Sequence, residues 1–128
     1  MMMNSEIETI FENFTVDNVS IPVEFEFYDG DSDSYIVYSN SDNDSSYSGD
    51  DELLGYITYY DFEIYCTGNY FKILSNVISL MNQNGWQFEP SLSSADHYDR
   101  DTKMFNKTLC FGKHVQFIEQ EENNNGNE

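Results

Sequence analysis

Residues 56–85 join a strand to a helix with almost nothing between them, and any fold of this chain must accommodate that unit. Residues 56–66 are crowded with aromatic and β-branched side chains, which suit a pleated surface. Phe62, Ile64 and Cys66 alternate with Asp61 and Glu63, so one face is apolar and the other polar. Thr67, Gly68 and Asn69 break the strand, and Asn69 is a natural N-cap. From Tyr70 the period changes. Phe71, Leu74, Val77, Ile78 and Met81 recur at helical spacing, Ile73 and Leu80 widen the stripe, and Asn84-Gly85 supplies the left-handed stop past a helix.

The flanking segments complete a single small domain of 128 residues. Residues 5–14 predict a short helix with Ile7, Ile10, Phe11 and Phe14 on one side and Glu6, Glu8 and Glu12 on the other. Ser5 with Glu8 fits a capping box. A turn at Asp17-Asn18 leads to Pro22, which ends any helix and favours extension. Val23, Phe25 and Phe27 then alternate with Glu24, Glu26 and Tyr28, a half-buried strand that Pro22 places at a sheet edge. A turn at residues 29–32 and a second strand at 35–38 predict a hairpin. Residues 39–52 hold Ser, Asn, Asp and Gly with one aromatic, Tyr47, and predict a long exposed acidic loop. Beyond the helix, residues 86–90 suit a short strand stopped by Pro90, residues 91–101 a polar connection, and residues 103–112 a strand that residues 115–118 extend. Phe105, Leu109 and Phe111 share one of its faces, with Lys107 interrupting them. The Glu/Asn-rich segment 119–128 reads as a solvated tail after a domain spanning 1–118. The expected class is α+β, a mostly antiparallel β-sheet with two helices packed on one face and the acidic loop inserted between strands.

Charge narrows the function classes. The formal net charge is −19. The first 71 residues hold 16 acids and no Lys or Arg, while the rest hold eight acids against Lys72, Arg100, Lys103, Lys107 and Lys113. Affinity for nucleic acid comes from cations that displace counterions, so phosphate-backbone binding is disfavoured. Avoiding DNA or imitating it stays open. No run approaches the roughly 18 apolar residues of a membrane span, and the N-terminal residues lack a basic and apolar leader, so the chain is expected to be soluble and made in a cytoplasm. Cys66 and Cys110 read as two small buried hydrophobes; a disulfide would require their strands to be neighbours.

No catalytic pattern converges in the sequence. His97 and His114 stand in separate polar stretches, no Gly-x-Ser-x-Gly elbow or Gly-rich phosphate loop occurs, and no CxxC or Cys/His cluster suggests zinc. Asp29, Asp31 and Asp33, or Asp42 and Asp44, suggest a calcium loop, but the bidentate Glu required eleven residues after the first Asp falls on Asn40 or Asp42. The expectation is a protein that is not an enzyme and carries no metal or cofactor.

One order of features carries a resemblance. An opening helix precedes Ile21-Pro22-Val23 and a tyrosine-rich hairpin. The strand ending Phe62-Glu63-Ile64-Tyr65 runs into Thr67-Gly68-Asn69-Tyr70, and the helix ends at Asn84-Gly85-Trp86. The segment Tyr98-Asp99-x-Asp101-Thr102-Lys103-Met104-Phe105-Asn106-Lys107 then leads into Leu109-Cys110-Phe111. Over most of residues 5–112 this resembles the tail terminator proteins of long-tailed bacteriophages, also called tail completion or head–tail joining proteins. The acidic segment 39–52 is longer than that pattern. The resemblance implies a homo-oligomeric, hexameric ring at the head-proximal end of the tail tube. Its partners would be the tail tube protein and the head connector or stopper, in the virion neck assembled in the host cytoplasm, with DNA passing but not bound and no membrane.

On this reading Tyr47, Asp50, Asp51 and Glu52 of the acidic segment, and the outward-facing Tyr59 and Tyr65, are the interface candidates. The bland alternative is that Tyr59 and Tyr65 simply cover the second sheet face. Two other readings stand beside it: a head completion or stopper protein of the same neck, and an acidic DNA mimic that inhibits a nuclease or restriction enzyme. Against the mimic, the acids crowd into a Ser/Asn-rich segment instead of spacing along a rigid element.

Overall fold

The computed structural model describes residues 2–41, 45–49, 52–68 and 70–116. Two helices, α1 (Met2–Ile10) and α2 (Tyr70–Gln83), accompany strands β1 (Thr15–Val16), β2 (Val19–Ser20), β3 (Val23–Phe25), β4 (Ser34–Asn40), β5 (Ser45–Gly49), β6 (Glu52–Cys66), β7 (Gln87–Phe88), β8 (His97–Asp99) and β9 (Met104–Gln116). The class is α+β with a mostly antiparallel sheet. Its order is β3-β4-β6-β9-β7, with β5 also on β6 and β8 also on β9.

The sheet is built around β6, whose twelve residues from Gly55 to Cys66 pair with Gln116 to Phe105 of β9. On its other side β4 pairs with residues 60–66 and β5 with residues 52–57. Directly opposed residues point to the same face in such a ladder, so the registers assign both faces. Ile36, Tyr38, Tyr60, Phe62, Ile64, Leu109 and Phe111 form the core face, and all are buried. Both helices lie on this side. Phe62 packs against Phe11 beyond the C-terminal end of α1 (ring centroids 5.5 Å apart), Tyr38 (5.6 Å) and Phe111 (5.5 Å). Ile73, Leu74, Val77 and Met81 of α2 and Ile7 of α1 complete the same cluster.

A polar tie closes the helical layer. Trp86, 2% exposed, follows α2 and donates its indole N–H to Glu6 Oε2 of α1 at 3.2 Å. Lys113 of β9 donates to the same oxygen at 2.6 Å and lies 5.5 Å from the Trp86 ring centroid. One carboxylate thus holds α1, the exit of α2 and the sheet together. Gly85, at φ 89°, makes the turn that brings Trp86 inward.

Several expectations need correction. The pair at 23–28 and 35–38 is no hairpin: β3 runs parallel to β4, Val23 beside Ile36 and Phe25 beside Tyr38. The strand ends early because Glu26 takes φ 69° while its N–H bonds Tyr38 O at 2.8 Å, which turns the chain back toward the start of β4. Phe27 is therefore 66% exposed instead of buried. As expected from Pro22, β3 is the sheet edge. The acidic loop is also shorter than expected. Ser45–Gly49 is a strand whose backbone pairs with Glu52–Ile57, so residues 45–57 contribute two strands; residues 42–44 and 50–51 lie outside the described residues. The connection at 91–101 contains a 3-10 turn (Pro90–Leu92) and β8.

The first helix starts before Ser5, which instead accepts a bond from Thr9 Oγ1 at 3.0 Å, so no capping box forms there. Asn69 and the tail at 117–128 are outside the described residues. The Asp17-Asn18 turn is as read: both residues take positive φ, 55° and 68°, the geometry of a tight two-residue hairpin between β1 and β2.

Both cysteines are free and buried. Their strands are neighbours, yet Cys66 pairs with Phe105 and Cys110 with Asp61, five positions apart and on opposite faces. At about 3.4 Å per residue no disulfide can close.

Candidate functional site: the outer sheet face

The helices leave the second face of the sheet uncovered, and the registers place on it Tyr35, Val37, Ile57, Tyr59, Asp61, Glu63 and Tyr65, with Asn106, Thr108, Cys110, Gly112 and His114 of β9. Neither Lys nor Arg occupies a described position there. Lys107 and Lys113 of β9 stand opposite Ile64 and Thr58, on the core side, where each is ion-paired (Asp96 at 3.1 Å, Glu6 at 2.6 Å). This face is therefore aromatic and acidic.

Its aromatic part is a stack. Tyr35 and Tyr65, opposed in the β4–β6 ladder, lie 4.7 Å apart with planes 20° from parallel. Tyr28, from the crossover between β3 and β4, stacks on Tyr35 at 4.5 Å, and its hydroxyl accepts the Ser32 N–H at 3.0 Å, which fixes the crossover over the sheet. Burial first, then neighbouring Glu63, pushes the Tyr65 phenol up to about 12; its hydroxyl donates to Glu63 Oε1 at 3.3 Å. Tyr35 is raised by the same desolvation. Tyr59 lies over Gly112: a Cβ there would sit 2.7 Å from Tyr59 Cε1. Beside it Cys110 is fully buried, and burial followed by the Asp61 carboxylate pushes its thiol up to about 12. Such a thiol is protonated and inert at neutral pH.

The structure thus brings Tyr59 and Tyr65 to one face, both half-buried and both packed within the chain, and it leaves that face partly covered by its own rings. Tyr47 and Glu52 are on paired strands β5 and β6; Asp50 and Asp51, between them, lie outside the described residues. Among the described residues no group of three or more His, Cys, Asp or Glu gathers where a metal could be held. His97 and His114 are exposed and on different strands, β8 and β9.

Sequence reasoning missed a second feature. Tyr70 and Phe71 at the start of α2 meet Tyr98 of β8 and Phe105 of β9 around a pocket of about 330 Å³. Helical spacing places Phe71 in the buried stripe, but Tyr70 takes the inward position and Phe71 is 68% exposed. The only signal in the sequence is two adjacent aromatics where the helix begins.

No protein-family model matches the chain, and no curated protein matches it significantly.

Proposed function

We propose that this chain is a structural subunit that acts by surface contact in the neck of a long-tailed bacteriophage, closing the tail tube as a ring. The observation that carries the reading is the outer sheet face: broad, free of helices, tyrosine-bearing and acidic without a described Lys or Arg. Tyrosine is favoured at protein contacts, where its ring supplies area and its hydroxyl a hydrogen bond. Ring closure needs heterologous contacts, in which one surface of each subunit meets a different surface of the next. The charge distribution suits that geometry, since every Lys and Arg follows residue 71 and the residues before it hold 16 acids.

The acids have a further use in such a ring. A channel through which a genome passes must not hold it, and carboxylates repel phosphates within a Debye length of about 10 Å. The acidic segment 39–52, which includes strand β5, faces the lumen or an adjoining ring. The partners are further copies of the chain, the tail tube protein and the head connector or stopper.

The test is negative-stain microscopy of particles assembled without this gene. Overlong tail tubes unattached to heads are expected. Normal tails beside heads that leak DNA would move the protein to the head side of the neck. Intact virions would overturn the reading and leave nuclease inhibition by an acidic mimic as the next assay.

A further inference from the structure

The aromatic pocket at the start of α2 lies on the core side of the sheet edge, away from the outer face. Its walls are π surfaces. Phe105 stacks on Tyr70 with centroids 5.1 Å apart and planes at 15°, Phe71 lies 5.0 Å from Tyr70, and Tyr98 lies 4.8 Å from Phe105. Phe71 and Tyr98 remain 68% and 46% exposed, so two large rings stand at the mouth in contact with water. The volume, about 330 Å³, falls within the range of small-molecule sites.

Two polar groups serve this apolar space. Tyr70 is 4% exposed, and its hydroxyl, sealed from solvent, faces the nearby Asp96 carboxylate without reaching good hydrogen-bond geometry. A buried polar group left in this state is costly, and an occupant that bonds it removes the cost. The second group is Asp96, near enough to the phenol to act on it: burial and then Asp96 push Tyr70 up to about 12, while Asp96 is held below the usual carboxylate range by Tyr70 first and then Lys107. Lys107 engages Asp96 through Oδ1 alone, at 3.1 Å, and spends a second donor on Ser94 O at 3.0 Å. The Lys107 hydrogen bond goes to Oδ1, and the Asp96 side chain remains 54% exposed, so Oδ2 is open to a further donor.

We infer that this pocket binds an organic cation, an ammonium or guanidinium on an apolar stem. Ring faces carry negative quadrupole density and attract such a group. Asp96 Oδ2 and the Tyr70 oxygen accept its N–H donors, and the stem fills the space between Phe71 and Tyr98. An anion would meet the carboxylate, the ring faces and a chain of net charge −19. Lys107 is already engaged by Asp96 and Ser94 O, so it offers an anion little beyond the roughly half elementary charge at the start of α2. A neutral ligand would gain no charge attraction from the carboxylate or the ring faces. The cation has two sources, a free amine or the Lys or Arg side chain of a partner protein, and the inference is independent of the neck reading.

The test uses the full chain and amide NMR titration with three probes: phenethylammonium, its neutral analogue 2-phenylethanol, and a blocked Gly-Arg-Gly peptide. Phenethylammonium is expected to shift resonances of Tyr70, Phe71, His97, Tyr98 and Phe105, with the neutral analogue about tenfold weaker. Phe71→Ala and Asp96→Asn should each weaken binding by about tenfold. Both side chains are exposed, and circular dichroism would show the fold retained. Tighter binding of the peptide assigns the cation to a partner's basic side chain, and binding of the amine alone assigns it to a free amine; either supports the inference. Absence of localised shifts at millimolar probe, or equal affinity for the neutral analogue, would overturn it.

Discussion

Replacing Gly112 by alanine sets two effects of opposite sign against each other. In the middle of a strand, glycine is less favourable than alanine by about 0.5–1 kcal/mol, so backbone entropy alone makes Gly112→Ala stabilising. The Tyr59 ring opposes this. An added Cβ would stand 2.7 Å from Tyr59 Cε1 and 3.0 Å from Cδ1, while its 3.5 Å approach to Ile57 Cγ2 is ordinary contact. Accommodating the methyl requires the ring to leave its place on the sheet, and overpacking of this kind costs about 1–3 kcal/mol. The steric cost outweighs the entropic gain. The expected net loss is about 1–2 kcal/mol, or about 4–8 °C in Tm for a chain of this length.

The decisive measurement is the same substitution in a Tyr59→Ala background, by thermal and urea unfolding at fixed protein concentration. With the ring gone the steric cost disappears, and Gly112→Ala should turn stabilising by about 0.5–1 kcal/mol. The change of sign amounts to a coupling of about 2 kcal/mol between the two positions. If Gly112→Ala has the same sign and size in both backgrounds, within about 0.5 kcal/mol, the ring does not rest on Gly112 and the described outer face is wrong at its centre.

Two further outcomes follow from the same structure. Glu6→Ala removes the acceptor shared by Trp86 and Lys113 and should cost about 1–3 kcal/mol in urea unfolding, whereas Glu6→Gln, which keeps an oxygen for the indole, should cost less; equal losses would show that the indole bond contributes nothing. Alkaline pH should destabilise the fold. Tyr65 and Tyr70 titrate near 12 when folded against an ordinary 10.0, and Cys110 near 12 against 9.0, so the folded chain holds protons that the unfolded chain releases. Their contribution is complete below about pH 9 and is lost as pH rises toward 12. Urea midpoints that do not fall between pH 9 and pH 11 would contradict this.

The parts of the fold legible in the sequence are those written in side-chain period. Residues 56–66 and 70–83 announce themselves because burial on one face leaves a repeat of 2 in the first and of 3.6 in the second. What the period does not carry is pairing. Val23, Glu24 and Phe25 alternate identically whether β4 runs parallel or antiparallel, and the reversal depends on the backbone of Glu26. Nor does it reveal a strand held by its backbone: Ser45–Gly49 has almost no β-forming side chains, yet pairs with a longer β6 than alternation suggests. The outer face is half legible. Parity places Tyr59 and Tyr65 correctly, but their packing on Gly112 and Tyr35 requires the register. The pocket is barely legible: beyond the adjacent Tyr70 and Phe71, its walls meet through Phe105, and neighbours across a sheet edge leave no mark on either segment alone.

The long ladder between β6 and β9 also decides how the molecule bears load. The β8–β9 turn at residues 100–103 sits near the Cys66 end of the ladder and the start of β6 at the other. These two ends are about 40 Å apart at 3.4 Å per residue. A pull between them runs along the strands, so the twelve-residue ladder is sheared as one block and its hydrogen bonds resist together. A pull that separates Gly55 from Gln116 instead opens the ladder from one end, a bond pair at a time. The same sheet is therefore stiff along its length and easily peeled from the end where β6 begins, and a partner that grips both ends would work against its strong direction.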